Sequence, residues 1–267
     1  MKGSLKAKPN KLLAIADQIP LDKVKEIKVK FEGATINDIL LAIMTMSVRS
    51  YLEEIEDPIV KKKTMFGRKA SPIRGNFPVS LRDTKKPILR NKNPTNYWTP
   101  LSFRFPFDWE TGADCVWKVK TQIDELKVSP QLPVQYYSAG FMMRLIPRWI
   151  YVSLLIRLNK KVTAMLSNVP GPQTKVHLAG SGIEDLMFFL FSPLGIYLGL
   201  ISYNGKVSMG INMDPQLNQD PNEIAKYWKL SFEKLYEETM KYPGMIAKNK
   251  DERNATGVVA TSPDTEQ

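Results

Sequence analysis

The chain is predicted to be an α/β (α+β) protein with one mixed β-sheet flanked by helices. Three observations predict this. Short alternating apolar runs recur between amphipathic helical stretches from residue 27 to residue 242. The dipeptide Asn204-Gly205 joins two alternating runs, the strongest local sign of a β-hairpin. Apolar residues make up 43% of the 267 and charged residues 24%, enough for an ordinary core and too apolar for a disordered chain.

The elements follow in order. Ile27, Val29 and Phe31 alternate with Lys28, Lys30 and Glu32, which predicts a half-buried strand. Gly33-Ala34 turns the chain. Thr35 caps a helix, with Asp38 at capping-box spacing, and Ile36, Ile39, Leu40, Ile43 and Met44 follow at helical period. The helix runs to about Glu56 and is stopped by Asp57-Pro58. Residues 60–75 read as a basic loop, Phe77–Arg82 as a strand, 83–96 as a second polar loop, and Tyr97–Phe107 as an extended segment. Asp114–Val128 forms a helix with Val116, Val119, Ile123 and Leu126 on one face.

Tyr136–Lys161 is predicted helical with a break at Pro147. Val162–Ser167 is a strand ending in the turn Asn168-Val169-Pro170-Gly171-Pro172, and Val176–Ala179 is a short strand. Ile196–Tyr203 and Lys206–Asp214 are the hairpin strands. Asp220-Pro221-x-Glu223 opens the last helix with a cap, a proline at the first helical position and an early acid. These elements divide the chain into a lead-in over 1–24, one domain over 25–247 and a polar, non-periodic tail over 248–267 expected to be disordered.

Composition excludes several chemistries. A single cysteine, Cys115, allows no intrachain disulfide, and with a single histidine, His177, no metal motif built on paired histidines or clustered cysteines is available. Cys115 reads as a packed helix residue and His177 as a structural or surface residue. Scarce cysteine fits a reducing, intracellular setting. No signal peptide is evident. The most apolar stretches, 186–201 and 141–158, are broken by Ser192-Pro193 and Gly195 or carry three arginines, so neither reads as a membrane span.

The formal charge is +11. Residues 60–92 hold eleven bases against one acid, Asp83, so nearly all of the excess lies there. The functional readings of this basic stretch are phosphate or anionic headgroup binding, with Arg68, Lys69, Arg74 and Arg82 as candidates; the bland reading is a solvated surface. Nucleic acid is disfavoured because few aromatics interleave with the bases. Residues 141–158 are strongly apolar, with Arg144, Arg148, Trp149, Tyr151 and Arg157. They read either as a buried helix pair or as an interfacial segment with Arg148, Trp149 and Tyr151 toward a membrane, which would make the protein peripherally membrane-associated.

Ala34-Thr35-Ile36-Asn37-Asp38, then Pro78-Val79-Ser80-Leu81-Arg82, then Ser167-Asn168-Val169-Pro170-Gly171-Pro172, then Ser202-Tyr203-Asn204-Gly205 occur in a particular order and spacing. Over roughly residues 20–242 this resembles the C-terminal half of the bacterial-type wax ester synthase/diacylglycerol acyltransferase family, part of the CoA-dependent acyltransferase superfamily. The resemblance implies the C-terminal half of a chloramphenicol-acetyltransferase-like fold. It also implies acyl transfer from acyl-CoA to a diacylglycerol or long-chain alcohol, lipid substrates, and no metal. In that family a histidine of an HHxxxDG motif is the general base. This sequence has no such motif, so the base is absent from it as written. The implied alternatives are a fragment or half that docks on a separate N-terminal half, and a non-catalytic lipid- or membrane-binding module.

Asn37 and Asp38 are placed near the reaction centre by the resemblance, and as helix caps by local sequence alone. Ser167, Asn168 and Gly171 read locally as a rigid strand-ending turn; by resemblance they line an acyl tunnel or aid an oxyanion.

Overall fold

The computed structural model describes residues 10–61, 73–81, 98–159, 162–190, 195–217 and 219–241. In chain order the elements are β1 (Leu12–Pro20), α1 (Leu21–Lys30), α2 (Ile36–Glu54), α3 (Pro58–Lys61), β2 (Arg74–Ser80), β3 (Trp98–Arg104) and α4 (Gly112–Val128). Then come α5 (Gln131–Leu145), α6 (Arg148–Asn159), β4 (Ala164–Pro170), β5 (His177–Leu178), β6 (Ser181–Gly182), β7 (Ile196–Tyr203), β8 (Lys206–Met213) and α7 (Pro221–Lys241). The six-stranded sheet has the order β1-β8-β7-β4-β2-β3, and β5 and β6 make a separate small hairpin. β4 runs parallel to β2 and β7; the other pairs are antiparallel. The predicted mixed sheet with flanking helices is therefore present.

Helices α2, α4 and α7 pack on one another and cover one face, with α1 against α2 and α7. Ile39, Ile43 and Met46 of α2, Val116 and Val119 of α4, and Trp228 and Leu235 of α7 close with Val207, Met209 and Ile211 of β8 into one core. The opposite face is covered differently. Parallel β4 and β7 need a crossover, and the described part of the connection between them is built around the β5–β6 hairpin rather than a helix. Phe188 stacks edge-on to Tyr197 at 6.3 Å, and the Asn212 amide donates to the Leu190 carbonyl at 3.1 Å. A Cβ at Gly210 would lie 2.9 Å from the Phe188 carbonyl oxygen, so the crossover passes too close for any side chain there.

Several predicted elements appear where local chemistry placed them. Thr35 and Asp38 form a complete capping box. Asn204 and Gly205, both at positive φ, turn the β7–β8 hairpin. Pro147 separates α5 from α6.

Other expectations are corrected. Residues 27–31 are not a strand: Ile27 and Val29 belong to α1, and Phe31 follows its end. Leu21, Val24 and Ile27, with Phe31 next, are buried at helical spacing, while Val29 is 77% exposed. The alternation at 27–31 is the tail of a 3.6 period that begins at Leu21. Within the span read as a lead-in, residues 12–20 form edge strand β1 and pair with β8. β4 continues past Ser167, because Asn168, Val169 and Pro170 stay in register with Leu200, Ile201 and Ser202 of β7. Arg74 opens β2 rather than lying in a loop. The 83–96 loop and the 248–267 tail lie outside the described residues.

Candidate functional site

The N-terminal half of α2, the C-terminal end of β2, the middle of β3, β4 and β7, and α4 line a cavity of about 360 Å³. Leu40, Leu41 and Met44 of α2, Phe77 and Val79 of β2, Leu101 of β3, Ile123 of α4, Leu166 of β4 and Leu200 of β7 make its walls apolar. Thr35, Asn37, Asp38, Ser167 and Asn168 supply polar groups, and Lys127 at the end of α4 is the only cation among the described residues of the lining. An apolar chamber with a few placed polar groups is the ordinary form of a small-molecule site.

Local chemistry explains why these polar groups meet. The Asp38 carboxylate accepts from the Thr35 backbone N–H at 2.7 Å and from the Thr35 hydroxyl at 2.8 Å, both through Oδ2. Its Oδ1 is buried with no hydrogen-bond partner among the described residues. The box fixes where α2 begins, and so where the preceding residue, Asn37, points. The extra length of β4 carries Asn168 to the same level, where its amide donates to the Asn37 carbonyl oxygen. This bond ties the start of α2 to the end of β4. Ser167, beside it, is buried. Its polar neighbour is the Tyr197 phenol, whose pKa burial pushes up. Lys127 reaches Asp124 at 3.5 Å and stays half exposed.

Of the residues singled out in the sequence, Asn37, Asp38, Ser167 and Asn168 come together at this cavity. Gly171 does not line it. Gly171 donates its N–H to the Ser202 carbonyl at 2.9 Å, and a Cβ there would lie 2.5 Å from that oxygen. Its place is the tight exit from β4. Arg74 also stands apart, at the opposite end of β2 from Val79, about 16 Å along the strand. Arg68, Lys69 and Arg82 lie outside the described residues. Arg148, Trp149 and Tyr151 fall on α6, where Trp149 is 72% exposed. His177 sits exposed on β5 and lines no part of the cavity. Cys115 is fully buried in α4, and burial pushes its thiol pKa up, which makes it an inert packing residue.

Sequence reasoning missed the apolar walls and Lys127. Leu40, Leu41 and Met44 carry the ordinary signature of a helix core face, and nothing local distinguishes a side chain that fills a core from one that borders a cavity. Among the described residues there is no cluster fit to hold a metal ion, and no helix is long and apolar enough to cross a membrane.

The family model described as "WS/DGAT C-terminal domain" matches residues 95–236, just over half of the chain. The "Probable diacyglycerol O-acyltransferase tgs1" of Mycobacterium tuberculosis is 26% identical over 220 residues, covering 79% of this chain and 44% of that protein. "Wax ester synthase/diacylglycerol acyltransferase 9" of Arabidopsis thaliana is 24% identical over 234 residues, covering 80% and 48%. Among solved structures, the wax ester synthase/diacylglycerol acyltransferase from Marinobacter aquaeolei VT8 superposes with a TM-score of 0.56 at 17% identity, over 86% of this chain and 49% of that one. The epimerization domain of tyrocidine synthetase B superposes with a TM-score of 0.51 at 10% identity, covering 88% and 50%. The chain thus spans about half the length of the curated relatives it matches. With the Asn37-Asp38 and Ser167–Pro172 motifs meeting at the cavity and at the β4 exit, this chain belongs to the WS/DGAT C-terminal domain family.

Proposed function

We propose that this chain is the acyl-binding half of an O-acyltransferase that moves an acyl group from acyl-CoA to the hydroxyl of a diacylglycerol or a long-chain alcohol. The observation that carries this reading is the apolar cavity with Asn37, Asp38, Ser167 and Asn168 at its polar end. An acyl chain in that cavity buries methylenes at about 0.8 kcal/mol each, and its thioester carbonyl comes to lie near the asparagines. An amide nitrogen has two hydrogens. One on Asn168 is used on Asn37, and the second is available to a developing oxyanion.

The reaction needs a general base. It takes the acceptor's proton, the oxygen attacks the thioester carbonyl carbon, and the C–S bond breaks. The thiolate of CoA leaves and is protonated. No described lining residue of the cavity is a histidine, and the single histidine of the sequence is on β5. The base therefore comes from outside this chain, as it would from an N-terminal half bearing the family's histidine motif. The same observation favours a second reading, in which the cavity binds an acyl lipid without turning it over.

The test uses the purified chain with a fluorescent fatty acyl probe and palmitoyl-CoA as competitor. Binding displaced by palmitoyl-CoA and blocked by Met44→Trp, which fills the cavity, is the expected result; absent binding overturns both readings. Radiolabelled palmitoyl-CoA with hexadecanol or diacylglycerol should give no product from the chain alone, and turnover would refute the external base. Turnover restored by a histidine-bearing N-terminal half supports the enzyme reading; binding with no restored turnover supports the module.

A further inference from the structure

Helices α5 and α6 carry the largest stretch of uncovered apolar surface in the described residues. Val134, Tyr137, Phe141 and Leu145 recur along α5 at helical spacing and are 61–73% exposed, and Trp149 on α6 is 72% exposed. Among the described residues, the packing of this pair on the rest of the domain is chiefly that of α5 on β3. Met143 on α5 and Ile150, Val152 and Leu154 on α6 are exposed as well, and so many uncovered apolar side chains on one pair of helices mark an interaction site. The buried-pair alternative of the sequence is thus not what the fold of this chain provides.

Charge identifies the occupant. From Gln131 to Asn159 the only ionisable groups of fixed charge are Arg144, Arg148 and Arg157, and there is no carboxylate. Arginines on an apolar helix lay their stems along the apolar surface and carry the guanidinium out to a polar layer. Three cations without one anion match an anionic headgroup layer, and a tryptophan and tyrosines suit the same depth. The helices are 15 and 12 residues long, about 22 and 18 Å. That is short of the ~30 Å hydrocarbon core and suited to lying within one leaflet.

We propose that α5–α6 is a membrane-docking hairpin that lies in the headgroup and upper acyl region of an anionic bilayer. Its position gives the docking a purpose. α4 ends at Val128, one residue past the cavity-lining Lys127, and α5 begins soon after at Gln131. α5 also packs on β3, whose Leu101 lines the cavity too. An apolar substrate leaving the leaflet along the hairpin arrives at the cavity wall. The docking stands on α5–α6 alone; only this delivery rests on the acyl-binding reading.

Flotation of the purified chain with vesicles of phosphatidylcholine, and of phosphatidylcholine with a quarter phosphatidylglycerol, tests it without any acyl-transfer assay. The chain should float with the anionic vesicles. The double variant Phe141→Ser/Trp149→Ser should bind at least tenfold more weakly. Arg144→Gln and Arg148→Gln should each weaken binding about fivefold and flatten its salt dependence. These side chains are exposed, so circular dichroism and Tm should match the parent and exclude misfolding. No flotation with anionic vesicles would overturn the proposal, as would flotation that none of the variants weakens. A concentration-dependent dimer in sedimentation velocity without vesicle binding would also overturn it and assign the surface to a second copy.

Discussion

Replacing Asp38 with alanine separates the structural from the chemical role of the Asn37-Asp38 pair. The carboxylate accepts the Thr35 backbone N–H at 2.7 Å and the Thr35 hydroxyl at 2.8 Å. Thr35 is exposed, so water takes over both of its donors, and their joint loss costs about as much as one bond to a charged group, about 1.5–3 kcal/mol. Losing the negative charge at the start of α2 adds about 0.5 kcal/mol. Against this, Oδ1 is buried without a partner among the described residues, and removing it returns about 1 kcal/mol of desolvation. The net is a destabilisation of about 2 kcal/mol, within the range for loss of a helix cap. In urea this lowers the midpoint by roughly 0.7 M at an m-value of about 3 kcal/mol/M. Asn37→Ala removes only the exposed bond to Asn168 and should cost no more than about 0.5 kcal/mol. Urea unfolding followed by circular dichroism, with m unchanged, measures both. An Asp38→Ala midpoint equal to the parent's would refute the capping account. An Asn37→Ala loss as large as that of Asp38→Ala would show one structural unit, and the assignment of Asn37 to the cavity's chemistry would lose its basis.

Further outcomes follow from other positions. Gly171→Ala drives a Cβ into the Ser202 carbonyl at 2.5 Å; it should destabilise by about 1–3 kcal/mol and lower Tm by several degrees, whereas Gly205→Ala, with open space but φ +75°, should cost about 1 kcal/mol. Cys115 should resist a thiol reagent in the native state and react at the unfolding rate, because it is fully buried and its pKa is pushed up by burial; fast native labelling would contradict the packing. The Tyr51 phenol donates to Gln219 at 2.6 Å. Burial, reinforced by Glu223, Asp57 and Asp220, pushes its pKa up to about 12. The neutral phenol therefore stabilises the fold fully below about pH 10, and that contribution is lost as pH rises through about 12. Tyr51→Phe should be less stable than the parent at about pH 8, and the gap should narrow as pH climbs from about 10 to about 12 in matched denaturation curves.

The candidate site is half legible in the sequence. Asn37, Asp38, Ser167 and Asn168 stand out as motif residues, and they do border one cavity. The same motif contains Gly171, which serves the chain's turn instead, because a motif records adjacency in sequence and the lining from β4 stops at Asn168, before the strand ends. The apolar walls come from α2, α4 and four strands, and no local pattern announces which core-type side chains will face a gap.

What the sequence by itself determined was set by short-range chemistry. The Thr35–Asp38 box, the Asn204-Gly205 turn, the Asp220-Pro221 helix start and the break at Pro147 depend on a few neighbouring residues, and each appears where the residues placed it. The absence of paired histidines and cysteines is likewise a matter of counting. Only the tertiary structure decided the rest. Residues 27–31 satisfy both a strand and a helix period, and packing of Leu21, Val24 and Ile27 chose the helix. β1 became a strand because β8 offered it an edge, and β4 reached Asn168 because β7 kept it in register. The apolar residues of α5 and α6 could have been core or surface on sequence alone. Their exposure depends on whether another element of the chain lies over them, a long-range fact that periodicity does not contain.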